Sequence, residues 1–251
     1  MCGAVRQGAC AVWQRAIWHR PDWLQGAKVA QISVTVITPT TGKASLERQV
    51  AAMDAQVGDV DFYHLLLWDD FRSPGARPPE SYNGPNRFSI VAPPGTGRNG
   101  AAPGSMLRAM GLMAARTDYV TFADDDVWWE PDHLQALAGC LAGGQGWGSV
   151  LRRMWSPDGR YLGVDRFESV GDGPGRLVPY EMCDNNVMVF RRELGVRAAL
   201  LYRETTEYND DRLMYGFLKE NAGPRGGCDR ATINHVCPDF LIEFFTEFCT
   251  R

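Results

Sequence analysis

Three consecutive aspartates, Asp124–Asp126, are the residues of this 251-residue chain whose type and spacing most directly suggest chemistry. Tyr119–Ala123 before them are β-branched, aromatic or small, which predicts a short buried strand. Adjacent carboxylates repel one another, and a hard divalent cation with oxygen ligands, such as Mg²⁺ or Mn²⁺, relieves that repulsion. The stretch therefore predicts a metal-bridged nucleotide site at a strand end. The alternative is a solvated turn in which one aspartate caps the next helix.

Two other strands are also expected to end in polar residues. Three segments indicate a βαβ unit: a strand at 32–42, a helix at 45–57 and a strand at 62–68. Thr38 and Thr40 lie near the end of the first strand, and Asp69 follows the second. Because ligands of such sheets bind outside the carboxyl ends of the strands, we expect these residues to converge with Asp124–Asp126.

The rest of the chain continues the alternation of strands and helices. Further elements are expected as strands at 87–92, 150–154, 160–170 and 186–190, and as helices at 106–115, 131–141 and 212–220. Ser156–Gly159 has the composition of a hairpin turn. This pattern predicts one α/β domain over 32–251, preceded by an extension or docking helix at 1–31.

Composition and charge narrow the class of protein. The formal net charge of -4 argues against a general affinity for nucleic acid. Seven cysteines without a C-x-x-C pair indicate reduced thiols, and hence a cytoplasmic location. No apolar run reaches the length of a transmembrane segment. Trp13 and Ile17 lie at helical spacing within 1–31, where contact with a membrane surface or a partner is an alternative to docking.

The order of these motifs resembles the family 2 glycosyltransferases with the GT-A fold. The likeness rests on Val36–Thr40 as the opening strand, Leu65–Asp70 as the second strand and Tyr119–Asp126 as the D-x-D block. In the second half, Tyr208–Asp210 is similar to the family's x-Glu-Asp motif, with Asn209 in place of the glutamate. The likeness is good over 32–135 and thinner, but ordered, to about 240.

The resemblance implies a Rossmann-like GT-A fold, with a mixed, mostly parallel central sheet flanked by helices. Residues 32–135 would form the nucleotide-binding half, and 136–251 an acceptor-side half with a smaller hairpin region. The implied activity is metal-dependent, hexosyltransferase-type transfer of a sugar from a nucleotide-sugar to an acceptor hydroxyl, with inversion. A UDP-type donor is favoured because Asp69 would accept a hydrogen bond from a ring N–H of the base.

The resemblance also implies roles for individual residues. The metal, Mn²⁺ or Mg²⁺, would be held by Asp126, Asp124 and His235. The nucleotide-sugar would be contacted by Thr38, Pro39, Thr40, Asp69, Arg108, Asp124 and Asp125. Asp210 would be the catalytic base, with Asp211 as the alternative. Such a base takes the proton of the acceptor hydroxyl as that hydroxyl attacks.

Several alternatives stay open at this point. The acceptor is a glycan, a lipid-linked sugar, a small molecule, a protein or a modified nucleic-acid base. Trp147, Trp155 and Tyr161 are candidates for stacking on a sugar, with core packing as the alternative. A degenerate nucleotide-binding module also fits, because Asn209 departs from the motif. A sugar-phosphate nucleotidyltransferase fits less well, because Thr38–Lys43 contains one glycine and one lysine where a Gly-rich basic loop is expected.

Overall fold

The computed structural model describes residues 32–69, 78–93, 96, 104–171, 182–204 and 209–249. The predicted extension or docking helix at 1–31 lies outside these residues. From Gln31 onward the chain forms one compact unit. Within the described residues, no helix combines the length and apolar character needed to cross a bilayer.

The first half of the chain forms a parallel sheet covered by helices. Its strands are β1 (Ser33–Thr40), β2 (Asp61–Trp68), β3 (Arg87–Val91) and β4 (Tyr119–Phe122), and its helices are α1 (Ser45–Asp54) and α2 (Ser105–Ala114). β1 pairs in parallel with β2 on one side and β4 on the other, and β3 continues the sheet beyond β2. The carboxyl ends of β1, β2 and β4 therefore meet at one edge of the sheet.

The second half extends this sheet with antiparallel and parallel pairs. Its strands are β5 (Trp128–Trp129), β6 (Trp147–Trp155), β7 (Tyr161–Asp165), β8 (Met188–Arg191) and β9 (Gly226–Val236). Its helices are α3 (His133–Cys140), α4 (Arg192–Glu204), α5 (Asp210–Asn221) and α6 (Ile242–Phe248). The strand order is β3-β2-β1-β4-β8-β6-β9-β5, with β7 paired to β6. The predicted fold class, a mixed α/β sheet flanked by helices, is confirmed.

Close packing fixes the helix that lies over the edge of the site. α2 rests on β1 and β2 through Gly111, where an added Cβ would lie 2.4 Å from Cγ2 of Ile37 and 2.9 Å from Cδ1 of Leu67. Ile37 is completely buried, and its branched side chain has little room to move. The absence of a side chain at Gly111 thus brings α2 close enough to the sheet for its polar face to reach the ends of the strands.

Some predicted elements differ from those observed. Trp128–Trp129 form β5, which pairs with β9. The helix predicted from Pro131 begins at His133, as α3. Asn185–Val187 form a 3-10 turn, so β8 begins two residues later than predicted. β9 is the longest strand of the sheet and was not predicted, because its glycines and charged residues carry no strand pattern.

Candidate active site

The three aspartates after β4 have different environments. Asp124 is partly buried and turns toward α2 and the 3-10 turn. Asp125 is buried beside the end of β1. Asp126 is half exposed, with 51% of its side chain open to solvent. The sequence repeats one residue type three times, but the fold gives each carboxylate a different set of partners.

Asp124 is held on both of its oxygens. Oδ1 accepts from Nη2 of Arg108 at 2.5 Å, and Oδ2 accepts from Nδ2 of Asn186 at 3.1 Å. The backbone N–H of Asp124 in turn donates to Oδ1 of Asn186 at 2.7 Å. Burial raises the pKa of the Asp124 carboxyl, and the Arg108 charge acts in the opposite direction. Asp124 is therefore held in one position. Hydrogen bonds already occupy some of the lone pairs with which its carboxylate could bind a metal.

Arg108 joins the carboxylates of the two halves of the chain. Its Nη2 contacts Asp124, and its Nη1 donates to Oδ2 of Asp210 at 3.0 Å. Burial alone lowers the pKa of this guanidinium, but the two carboxylates outweigh that effect and raise it. Ser105, one turn earlier on α2, donates to the same Asp210 oxygen at 3.3 Å. The predicted base and the predicted nucleotide-binding aspartate thus share one cation.

Asp125 and Asp126 share another cation, the Lys43 ammonium. Nζ of Lys43 lies 3.0 Å from Oδ1 of Asp125 and 3.0 Å from Oδ2 of Asp126. Asp125 also accepts from Oγ1 of Thr40 at 2.7 Å and from the backbone N–H of Thr41 at 3.3 Å. Burial alone lowers the pKa of Lys43, but both carboxylates raise it above the ordinary value. This strand edge therefore attracts positive charge.

The first strand brings only some of its predicted residues to the site. The Thr40 hydroxyl contacts Asp125, and Pro39 lies beside Gly104 at the start of α2. Thr38 is completely buried, and its hydroxyl contacts Nε2 of His64 at 3.0 Å and the amide of Gln49 at 3.3 Å. Its side chain therefore supports the βαβ unit from within.

Asp69 is placed as the sequence predicts. It follows β2 directly, is nearly buried, and donates its backbone N–H to the carbonyl of Thr40 at 2.8 Å. Thr40 also contacts Asp125, so Asp69 and the aspartate triplet lie on the two sides of the end of β1. Asp69 therefore lies at a strand end next to that of β1, and its contact with a nucleotide base stays a prediction.

The two candidate bases differ in what they contact. Asp210, with 14% of its side chain exposed, faces Arg108 and Ser105. Asp211 accepts from the backbone N–H of Asn185 at 3.0 Å. Burial, followed by repulsion from Asp210 and Asp184, raises the pKa of Asp211 well above its ordinary value. Asp211 therefore holds the 3-10 turn in place, and Asp210 is the one directed at the site.

His235 lies on β9, in register with Met154 of β6. Nδ1 of its ring is buried with no hydrogen-bond partner among the described residues. Within the described residues, no three His, Cys, Asp or Glu side chains are grouped to hold a metal ion. The predicted ligands Asp124, Asp126 and His235 thus do not form a ready-made three-residue cage, and the role of His235 stays a prediction.

Lys43 and Asn186 were not predicted as site residues. The side chains that hold Asn186 in position were not predicted either. The Asn186 side chain also donates to Oδ1 of Asp184 at 2.9 Å. Asp184 is paired with the buried Arg152, which contacts Asp165 at 2.8 Å and Glu168 as well. Only Lys43 had a sequence signal, as a lysine just after the first strand. The others come from parts of the chain that only the fold brings together.

Comparison with known proteins agrees with this architecture. Residues 105–165 match the family described as Glycosyl transferase family 2. A crystal structure of S. aureus TarS 1–349 superposes with a TM-score of 0.58 and 17% identity, covering 85% of this chain and 65% of that one. The same protein in complex with UDP gives a TM-score of 0.58 and 18% identity, covering 86% and 64%. Its complex with UDP-GlcNAc gives 0.56 and 18%, covering 83% and 59%.

The TarS structures are longer than this chain, and the family match covers part of it. The chain spans 37% of the longer S. aureus TarS structure. Comparison with curated protein sequences gives no match. The similarity nevertheless confirms the predicted resemblance to family 2 glycosyltransferases over residues 105–165 and the predicted GT-A fold.

Proposed function

We propose that this chain transfers a sugar from a UDP-type nucleotide-sugar to an acceptor hydroxyl, with a divalent cation and with inversion at the anomeric carbon. The observation that carries the proposal is the Arg108 bridge, which brings Asp124 of the nucleotide-binding half and Asp210 of the other half into one site. The TarS structures that share the fold contain UDP and UDP-GlcNAc, so UDP is the first nucleotide to test.

The carboxylates at the strand edge fit Mn²⁺ or Mg²⁺. Mg²⁺ sites commonly use one or two carboxylates together with substrate phosphates, rather than a cage built wholly from protein. Asp126 suits this arrangement because it is half exposed and already draws the Lys43 ammonium. Asp124 is the second candidate, with fewer free lone pairs. When bound, the cation would offset negative charge on the departing diphosphate.

Asp210 has the surroundings expected of the base. It is a carboxylate, a group that can accept the proton of an acceptor hydroxyl, and it lies 3.0 Å from Nη1 of Arg108. Ser105 and Arg108 both contact Oδ2, and they fix the direction of the carboxylate. A base of this kind supports a single displacement and hence inversion. Asp211 supports the 3-10 turn behind it.

Thermal unfolding with UDP, with and without Mn²⁺, tests the donor half of this proposal. We expect UDP to stabilise the protein only when the metal is present, and Asp126→Asn to abolish that effect. Asp229→Asn is the matched control, because Asp229 lies on the surface with 86% of its side chain exposed. Equal stabilisation by UDP in the presence of EDTA would contradict a metal-dependent site.

Consumption of UDP-sugars tests the catalytic half. We expect Asp210→Asn to keep metal-dependent UDP binding and to lower turnover by about 10²–10⁴-fold, the usual contribution of a general base. Binding without consumption of any donor, across a broad panel of acceptors, would instead support the degenerate nucleotide-binding module. The acceptor and the cytoplasmic location stay predictions.

A further inference from the structure

A row of three aromatic side chains begins beside the acidic edge and spans four strands, with β9 between the first two rings. Trp128 lies on β5, Trp155 on β6 and Tyr161 on β7, and we refer to these three as the aromatic row. The ring centroids of Trp128 and Trp155 are 6.2 Å apart, and those of Trp155 and Tyr161 are 5.1 Å apart. Neighbouring rings are tilted by 37° and 53°, within the range of favourable aromatic pairs.

The aromatic row does not belong to the hydrophobic core. Tyr161 is 42% exposed, and Trp128 and Trp155 are partly exposed, whereas the nearby Trp129 and Trp147 are buried. Met154 and Leu162, the strand neighbours of Trp155 and Tyr161, point into a separate apolar cluster. Since successive side chains of a strand alternate between faces, Tyr161 is directed away from that cluster, and the partly exposed ring of Trp155 packs against the Tyr161 ring. The structure thus places large apolar surfaces where they can meet a ligand.

The rings are also held in place before any ligand arrives. Nε1 of Trp155 donates to Oδ1 of Asn234 at 3.0 Å, and Asn234 is the register partner of Trp128. The amide of Asn234 donates to Oε1 of Glu130 at 3.0 Å, which fixes its orientation. At the other end, the guanidinium carbon of Arg48 lies 3.7 Å from the centroid of Trp128. Side chains fixed in this way lose little entropy on binding.

The position of the aromatic row connects it to the proposed reaction. Trp128 follows Asp126 by two residues, and the Asp126 carboxylate is close enough to Arg48 to oppose the larger lowering of the Arg48 pKa by burial. The row therefore starts at the carboxylate assigned to the metal and extends across the hairpin of β6 and β7. A ligand lying along it would have one end at the site of transfer, as an acceptor requires.

We propose that the aromatic row is the acceptor subsite and that the acceptor is a carbohydrate; this inference rests on the proposed function. A sugar ring has a flat face of C–H groups that stacks on an aromatic ring, while its hydroxyl groups remain free at the edge. Uncharged rings in succession suit an uncharged chain of sugars. A nucleic acid would also need a basic surface for its phosphates, and the chain carries a net charge of -4.

Saturation-transfer NMR with soluble oligosaccharides of glucose and of N-acetylglucosamine, in the presence of UDP and Mn²⁺, tests this subsite. We expect transfer to the C–H protons of the sugar with the unmodified protein and with Tyr161→Phe. We expect about tenfold weaker binding for Tyr161→Ala, the size expected for loss of one aromatic contact. Trp155→Ala should weaken binding in the same direction. Phe88→Ala is the matched control, since Phe88 is a 51% exposed aromatic on the opposite edge strand β3.

The UDP-dependent thermal shift is recorded on every variant, both as a check of folding and as an independent test of the donor site. The proposal is overturned if UDP stabilises the protein but no oligosaccharide receives saturation. It is also overturned if Tyr161→Ala and Phe88→Ala bind sugars equally well. Tyr161-dependent sugar binding without any response to UDP would retain the carbohydrate subsite while rejecting the proposed function and, with it, the role as acceptor site.

Discussion

The buried Arg108 has two partly buried carboxylate partners that are separated in sequence by 86 positions, from Asp124 to Asp210. Removing one member of a buried ion-pair set leaves the remaining charges without compensation. We expect Arg108→Leu to lower the free energy of unfolding by about 3–5 kcal/mol, measured by urea denaturation. Arg116→Leu, at an exposed arginine just after α2, should change it by less than about 0.5 kcal/mol. Equal effects of the two variants would contradict the bridge.

Lys43 offers a second test at the level of single residues. Its ammonium is about half exposed and contacts Asp126, the proposed metal ligand. Because an exposed pair contributes roughly 0.2–1 kcal/mol, Lys43→Met should tighten Mn²⁺ binding in the absence of nucleotide by about 1.4-fold to fivefold. Electron paramagnetic resonance of free Mn²⁺ measures this directly. Lys219→Met on α5 is the control, and unchanged or weaker Mn²⁺ binding by Lys43→Met would argue against Asp126 as the ligand.

Cys228 gives a prediction for pH dependence. Sγ of Cys140 donates to Sγ of Cys228 at 3.6 Å, and this bond lowers the pKa of Cys228 to about 7. The thiolate is the reactive form and predominates above the pKa, so the alkylation rate should rise with pH and reach half its maximum near pH 7. Burial raises the pKa of Cys183, which should react far more slowly. Peptide mass spectrometry after iodoacetamide treatment, with Cys228→Ser as control, identifies the site.

At the level of elements, Gly111 determines how closely α2 approaches the sheet. An added methyl group would overlap Ile37 and Leu67, and overpacking of this kind costs about 1–3 kcal/mol. We expect Gly111→Ala to destabilise the protein by that amount and to disturb Arg108 on the same helix. Gly139→Ala, on α3 with open space around it, should be neutral or stabilising by up to about 1 kcal/mol. Thermal and urea unfolding of both variants measure these changes in stability. A greater loss of stability for Gly139→Ala than for Gly111→Ala would contradict this role of Gly111.

The elements that the sequence predicts are those whose local pattern agrees with the final fold. β1, α1, β2, α2 and β4 all carry clear periodicity, and each was located to within a few residues. β5 was missed because Trp128–Trp129 become a strand only through pairing with β9. The same limit applies to the site. Asp69, Asp124 and Asp210 stand next to recognisable elements, but nothing near Asn186 indicates that it holds Asp124.

At the level of the whole molecule, one continuous sheet joins the two halves. β4 of the first half pairs with β8 of the second, and Arg108 adds a polar connection between them. We therefore expect the described domain to unfold in one cooperative transition. Hydrogen-exchange peptides from β1 and from β6 should lose protection together as urea rises. Loss of protection at clearly different urea concentrations would show that the halves are independent.

The position of β9 has a consequence for how the protein is made. This strand lies between β6 and β5, and its Asn234 anchors Trp155 and pairs with Trp128. A chain growing on the ribosome therefore completes β5 and β6 long before the strand that unites them exists. The proposed sugar-stacking surface is therefore assembled last, because a nascent chain stalled before Gly226 would lack the strand that anchors Trp155 and pairs with Trp128.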